Sequence, residues 1–168
     1  RNRKLAGGQD GPVRTDDQSN ANLRIEGGVW TTLATSDRGN NGNNRGFSTK
    51  QADVVGCNGV LLFCNVRRLH VRNVTIRQSK AYGVHVSNCE EFLIENVRFD
   101  DNHRDGVHVN GPAAYGIIRK LSGVTFDDFV ALNAWDWLNA APTFGPIHHV
   151  LVEDCRAAHT GRPVVDTN

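Results

Sequence analysis

The chain has 168 residues, 39% of them hydrophobic, and a formal net charge of +1 at pH 7. This length is sufficient for one globular domain, and so balanced a charge gives no strong bias toward nucleic acid or another polyanion. No stretch is long and apolar enough to cross a bilayer as a helix, so we expect neither a nucleic-acid partner nor a membrane span.

Residues 1–58 predict an irregular N-terminal segment. Residues 1–21 are polar and show no periodicity, whereas residues 22–30 predict a first short strand that closes at a Gly27-Gly28 turn. The polar stretch at 31–56 is longer than an ordinary connection. Such loops are either functional lids or disordered excursions, and the sequence leaves both interpretations open.

Residues 59–168 repeat with a period of about 23 residues, and each repeat contains a strand of alternating apolar and polar side chains. The four rows are Leu61-Leu62-Phe63-Cys64, Val84-His85-Val86-Ser87, Val107-His108-Val109-Asn110 and Val130-Ala131-Leu132-Asn133. Alternate side chains of a strand share a face, so the first and third columns face a core and the other two point outward.

A second apolar series adds another short strand to each repeat, and its segments are Leu69-His70-Val71, Phe92-Leu93-Ile94, Ile117-Ile118 and Val150-Leu151-Val152. A unit this small cannot bury its apolar face alone, but stacked copies share a continuous core. The sequence therefore predicts an all-β solenoid, a parallel β-helix.

The ends of the chain indicate a piece of a longer β-helix. There is no methionine, no secretory pattern follows Arg1, and the chain stops at Asn168 in the middle of a repeat. Targeting cannot be read from such a piece.

The four cysteines show no spacing typical of a metal site. We predict buried free thiols at Cys57, Cys64, Cys89 and Cys155, since cysteine is among the most buried residue types. A disulfide is the alternative, and only Cys57 and Cys64 are near enough in sequence to suggest one.

Two asparagines, Asn65 and Asn88, lie one period apart directly after their strands. Asparagine tolerates turn conformations and bonds to local backbone, so we predict stacked corners rather than a binding site. Asn73-Val74-Thr75 fits a glycosylation sequon, but it falls in a predicted strand and we interpret it as chance.

Three aspartates give the strongest functional signal. Asp105 and Asp128 lie one period apart in one column, and Asp127 is adjacent. Neighbouring strands are about 4.7–4.9 Å apart, so three carboxyls should converge. Like charges this close raise one pKa, so one group can act as general acid and another as base. That division of roles is what glycoside hydrolysis needs.

Polar side chains that point outward on the same strands predict a substrate-binding floor, formed by His108, Asn110 and Asn133. The strand pattern then lapses between Asn133 and Pro146, where Trp135 and Asp136 follow. Trp135 would either fill the core or form a wall on which a sugar ring stacks, with Asp136 beside it.

At these residues the chain resembles the polygalacturonase-like glycoside hydrolases of family 28. Residues 102–106 (Asn-His-Arg-Asp-Gly) are similar to the family's Asn-Thr-Asp-Gly motif, and residues 126–128 (Phe-Asp-Asp) to its Gly-Asp-Asp motif about one coil later. The resemblance implies a right-handed parallel β-helix, a polysaccharide or oligosaccharide substrate, no cofactor or metal, and a secreted or periplasmic location. It also implies that Asp128 is the general acid, while Asp105 and Asp127 activate water for an inverting displacement.

The family's other two motifs, Gly-His-Gly and Arg-x-Lys, are not matched. Residues 158–163 (Ala-His-Thr-Gly-Arg-Pro) occupy the place of the first, so His159 or Arg162 would take over its role in binding substrate. The Arg-x-Lys coil would lie beyond Asn168. The resemblance therefore covers residues 59–168 and two motifs of four.

Two other functions remain open. In a β-helical polysaccharide lyase, the three aspartates would bind calcium through oxygen and Arg104 or Arg119 would abstract a proton. In a non-catalytic carbohydrate-binding β-helix, the aspartates would be turn residues only. A fold by itself does not choose among these functions.

Overall fold

The computed structural model describes residues 20–31, 59–80, 82–134, 143 and 145–158. Within these ranges the chain forms only β-strands and no helix, in agreement with the predicted all-β class. The strands are β1 (Asn20–Glu26), β2 (Val29–Trp30), β3 (Gly59–Ser79), β4 (Tyr82–Asn102), β5 (Val107–Arg119), β6 (Ser122–Thr125), β7 (Val130–Asn133), β8 (Ile147–Glu153) and β9 (Arg156–Ala157). In the described part of the chain, nothing helical has the length and apolarity to span a membrane.

Some sequence predictions concern residues outside these ranges. They are the irregular segment at 1–19, the long loop at 32–58 with Cys57, and the candidate binding residues Trp135, Asp136, His159 and Arg162. These remain predictions.

All pairings between the described strands are parallel. Val84 pairs with Leu61 on β3 and with Val107 on β5, and Val107 pairs in turn with Val130 on β7. Each step advances by one period of the sequence repeat, so these strands belong to four coils stacked on one another. β3 and β4 have 21 residues each, which means that nearly a whole coil is hydrogen-bonded to the next. The predicted parallel β-helix is confirmed.

The core lies along the inside of the coils. The inward columns include Val84, Val86, Val107 and Val109, all with no exposed surface. Burying a side chain of this size contributes about 1.5–3 kcal/mol, so the stacked columns provide a large part of the folding free energy. The ring of Phe99 packs so closely under Gly106 that a Cβ there would lie 2.8 Å from it.

The coils turn corners at residues in the left-handed region, where φ of the non-glycine residues lies between 48° and 64°. One column of such corners consists of Asn22, Arg68, Glu91, Tyr115 and His149, and a second of Gly27, Asn73, Asn96, Lys120 and Asp154. Shorter columns are Asn65 with Asn88 and Gln78 with Asp101. This conformation costs roughly 1–2 kcal/mol for a residue with a Cβ, so the register that stacks these corners must hold them in place.

Asparagine side chains bond from coil to coil at two of these corners. Asn88 Nδ2 donates to Asn65 Oδ1 at 2.8 Å, and Asn96 Nδ2 donates to Asn73 Oδ1 at 2.7 Å. The predicted corner role of Asn65 and Asn88 is confirmed. Asn73 is exposed, and its Nδ2 donates to the carboxylate of Glu26.

One connection is much longer than the coil requires. β2 ends at Trp30 and β3 does not begin until Gly59, whereas their partners one coil on, Ile76 and Tyr82, are separated by little more than a turn. The connection from β7 to β8 is extended in the same way. The register is preserved across both, so coil pairing does not depend on the length of these connections.

Three cysteines lie in the described residues, and all three are free thiols, as predicted, but of these only Cys89 is buried as predicted. Cys89 is fully buried in the core, and this burial raises the pKa of its thiol to about 12. Cys64 and Cys155 are half-buried. A Cys89 thiol that stays protonated is inert, which fits a packing role.

Replacing Val107 by Asp should place an unpaired charge in the core and lower the free energy of unfolding by about 3–5 kcal/mol. Urea denaturation followed by circular dichroism measures this. Arg98→Asp is the control, because it puts the same carboxylate on an exposed position of β4 and should cost far less. Equal losses in the two variants would contradict the assignment of Val107 to the core.

Replacing Asn88 by Ala should destabilise the chain more than replacing it by Gly, by about 1 kcal/mol, because glycine adopts a positive φ without strain. Both variants lose the hydrogen bond to Asn65. The difference between their stabilities therefore reports the cost of a positive φ at position 88. At the exposed strand position Ser122 the order should reverse, with Ala the better replacement. Melting temperatures of the four variants test this, and the same order at both positions would contradict it.

Candidate active site

The three aspartates singled out from the sequence do converge. Carboxylate oxygens of Asp105, Asp127 and Asp128 all lie within 4.8 Å of one another. Coil stacking causes this, because the backbone N–H of Gly106 donates to the carbonyl of Asp128 at 2.9 Å and fixes the two coils in register. Asp105 is buried, whereas Asp127 and Asp128 are exposed. The cluster therefore has one carboxyl inside the wall and two on its surface.

The three carboxyls have different electrostatic environments. Partial burial raises the pKa of Asp128, and the charges of Asp105 and Asp127 raise it further. Asp128 therefore holds a proton more readily than an isolated aspartate does.

Asp105 is held firmly by the residues around it. Its Oδ2 accepts a hydrogen bond from His108 Nδ1 at 2.5 Å. Asn102 Nδ2 donates to the carbonyls of Arg104 and Asp105 at 2.5 and 2.9 Å, which ties down the turn between β4 and β5. A carboxylate fixed in this way needs little reorganisation to act on a bound molecule.

A network of buried side chains extends from Asp105 into the outward face of the coils. His85 Nε2 lies 2.7 Å from Asn110 Oδ1, and Asn110 Nδ2 lies 3.3 Å from His108 Nε2. Because an amide oxygen only accepts and an amide nitrogen only donates, His85 carries a proton on Nε2 and His108 Nε2 is an acceptor. The His108 proton is then on Nδ1, which donates it to Asp105.

This network corrects the prediction that His108 and Asn110 lie on an exposed floor. Both side chains are buried, with 1% and 0% exposure, and they contact Asp105, His85 and each other. The ring of Tyr82, one coil earlier, covers His108 at a centroid distance of 4.0 Å. Asn133 is half-buried, and its carbonyl lies 3.5 Å from Asn110 Nδ2.

A threonine distant in sequence closes the same face. Thr143 Oγ1 donates to the carbonyl of Gly111 at 2.7 Å, so Ser87 Oγ, 2.5 Å away, donates to Thr143. Ser87 and Thr143 are both fully buried. The outward face of β4 and β5 is thus a covered polar layer.

Two residues that the sequence reasoning did not assign to the hydrolase site stand beside the acids. Arg104 donates through Nη2 to the Tyr82 hydroxyl at 2.9 Å, and its Nη1 lies 3.7 Å from Asp127 Oδ2. Tyr82 could have been found from the repeat, since it precedes Asp105 by one period in the same column. Arg119, the other candidate base of the lyase hypothesis, instead pairs with Glu95 at 2.8 Å.

An exposed aromatic side chain was also missed. Phe126, which directly precedes Asp127, is 42% exposed, and its ring lies 4.9 Å from that of His103 one coil earlier. Lys80 Nζ contacts the His103 ring in turn at 3.0 Å. Lys80, His103 and Phe126 thus form a column parallel to the acids, with an aromatic face at the end nearest Asp127.

Comparison with known proteins gives one result on the fold. Residues 58–167 match the family described as right handed beta helix region. No curated protein and no solved structure matches the chain significantly.

Replacing Asp128 by Asn should raise the melting temperature at pH 7. Because the folded-state pKa of Asp128 is raised, the folded chain binds this proton more readily than the unfolded chain, and stability falls as pH rises through that range. The gain should disappear below the ordinary pKa of 3.8, where both states are protonated.

Melting curves from pH 3 to 8 test this. The control is Asp100→Asn, which removes a carboxylate paired with Arg77 at 3.1 Å and so should not raise the melting temperature. A lower melting temperature for Asp128→Asn at pH 7 would show that the charge of Asp128 stabilises the fold.

Proposed function

Because the chain belongs to the right-handed β-helix family, we propose that it cleaves O-glycosidic bonds of a polysaccharide or oligosaccharide by aspartate acid–base catalysis. This fold is shared by glycoside hydrolases, lyases and other proteins, so the proposal depends on the site and not on the fold. The observation that carries it is the cluster of Asp105, Asp127 and Asp128, with unequal surroundings within 4.8 Å.

Asp128 is the proposed general acid. It is exposed, so it can reach a bound sugar, and its raised pKa favours the protonated form that can protonate the leaving oxygen. Asp105 and Asp127 supply the opposing carboxylates. His108 fixes Asp105, and Arg104 offsets part of the charge on Asp127.

The spacing of the acids bears on the stereochemical outcome. Inverting enzymes typically separate their two carboxyls by about 6.5–9.5 Å, and retaining enzymes by about 5–5.5 Å. In a retaining reaction Asp105 or Asp127 would attack the sugar, and in an inverting one they would activate water. The anomer formed first, observed by proton NMR, distinguishes the two.

The exposed ring of Phe126 supports a carbohydrate substrate. An aromatic face next to the acids gives a sugar ring a flat apolar surface on which to stack. The neighbouring His103 and Lys80 could donate hydrogen bonds to sugar oxygens. Trp135, outside the described residues, is proposed as a further stacking wall.

A calcium-dependent lyase is the second candidate, and the same cluster favours it. Calcium takes carboxylate oxygens at about 2.3–2.6 Å, so three oxygens within 4.8 Å of one another fit its donor set. Arg104 is then the candidate base. A lyase product carries a new double bond that absorbs ultraviolet light, whereas a hydrolase product shows only new reducing ends.

Asp128→Asn should lower kcat by about 10²–10⁴-fold with little change in KM, because a general acid acts in the transition state. The wild-type rate should fall as pH rises through the raised pKa of Asp128, since only the protonated form is competent. Reducing ends released from a polysaccharide panel, with and without chelator, measure this.

The matched control is Asp100→Asn, which removes a carboxylate outside the cluster. Its turnover should equal that of the wild type. Full turnover by Asp128→Asn on every accepted substrate would rule out the hydrolase assignment, and chelator-sensitive release of ultraviolet-absorbing products would favour the lyase.

A further inference from the structure

The Nδ1 atoms of two consecutive histidines on β8 face each other. His148 Nδ1 and His149 Nδ1 are 2.8 Å apart, and both side chains are exposed. Consecutive residues of a regular strand point to opposite faces, so this convergence needs a local cause. The cause is the corner of the coil, where His149 adopts φ of 54° and turns its side chain toward that of His148.

The preceding coil holds the two rings in place. Tyr115, the corner residue one coil earlier, stacks on His149 with a centroid distance of 5.1 Å and meets His148 edge-on at 5.7 Å. Ala114 pairs with His148 in the strand register, which fixes the backbone below the pair. These contacts with Tyr115 restrict the orientation of both imidazole rings.

We propose that His148 and His149 bind a divalent transition-metal ion, Ni²⁺ or Cu²⁺, through their two Nδ1 atoms. An imidazole nitrogen lies about 2.0–2.1 Å from such an ion, so nitrogens 2.8 Å apart subtend an angle of roughly 85–90° at the metal. A tetrahedral ion would need a separation of about 3.3 Å at the same bond length. The narrow angle matches adjacent positions of the tetragonal geometries that Cu²⁺ and Ni²⁺ adopt with nitrogen and oxygen ligands.

Binding requires only a shift of tautomer. In the present pair one imidazole donates an Nδ1 proton to the Nδ1 of the other. When the ion enters, that proton moves to Nε2 through solvent, so both neutral rings offer an Nδ1 lone pair and no net proton is released. Among the described residues no third imidazole, thiol or carboxylate forms a metal-holding group with them.

This site is separate from the acidic cluster and does not depend on the proposed hydrolase activity. The histidine pair lies at the corner column that contains Glu91 and Tyr115, whereas the acids follow the corner column that contains Asp101. Within the described ranges, the three aspartates also form a group that could hold a metal ion, so a metal titration must distinguish the two places.

Ni²⁺ is the probe, because Cu²⁺ would oxidise the half-buried thiols of Cys64 and Cys155. Substoichiometric Ni²⁺, a paramagnetic ion in octahedral coordination, should broaden the amide signals of Tyr115 and Val150 in the full-length chain and leave Leu61 sharp. Calorimetric titration should show one equivalent bound, and binding at least tenfold weaker in His149→Asn and in His148→Gln. Asparagine suits position 149 because it tolerates a positive φ.

His70→Asn is the control, since His70 is exposed and has no histidine neighbour in sequence. Its Ni²⁺ affinity should equal that of the wild type. The proposal is overturned if Ni²⁺ leaves the signals of Tyr115 and Val150 sharp, if it broadens those around Asp127 instead, or if both histidine variants keep wild-type affinity.

Discussion

Parallel pairing of one coil with the next, in a register that advances by one sequence repeat per step, is the constraint on which this molecule depends. Once the backbone is stacked at this spacing, every residue of a coil has a counterpart in the next. Valines then form continuous apolar columns, asparagines bond to asparagines, and left-handed corners meet left-handed corners. The stability of such a solenoid is approximately a sum over its coils and the interfaces between neighbouring coils.

The same stacking forces the carboxylates of the aspartate cluster close together. Stacking brings Asp105 and Asp128 together although like charges repel, and the backbone bond between Gly106 and Asp128 keeps the two coils in contact at this point. The protein offsets this repulsion locally. His108 donates a hydrogen bond to Asp105, and Arg104 approaches Asp127. Partial burial and the charges of the other two aspartates together raise the pKa of Asp128. A raised carboxyl pKa lowers the stability of the folded chain at neutral pH. It is also the property that a general acid needs.

The fold could be read from the sequence because its signal is repetitive. The columns headed by Leu61 and Phe63 are visible by eye, and the same period located the three aspartates. The burial of His108 could not be read in this way, because strand alternation places it on the outward face and says nothing of the Tyr82 ring that covers it. The corners at Arg68, Glu91 and Lys120 carry no turn residue, so only the stacked register explains their positive φ. The repeat period could have identified Tyr82, which lies one period before Asp105. Its side chain is uncharged, so nothing in the sequence assigned it to the site.

The long connection between β2 and β3 has a consequence for how such a chain can diversify. β1 pairs with β3 at an offset of two whole periods, as if the extra residues of the connection were not there. Closing a longer loop costs only about 0.6 kcal/mol for each doubling of its length, while the coils keep their own hydrogen bonds. A surface beside such a connection can therefore acquire new walls by insertion while the column of aspartates stays in register, so changes in that surface are uncoupled from changes in the scaffold.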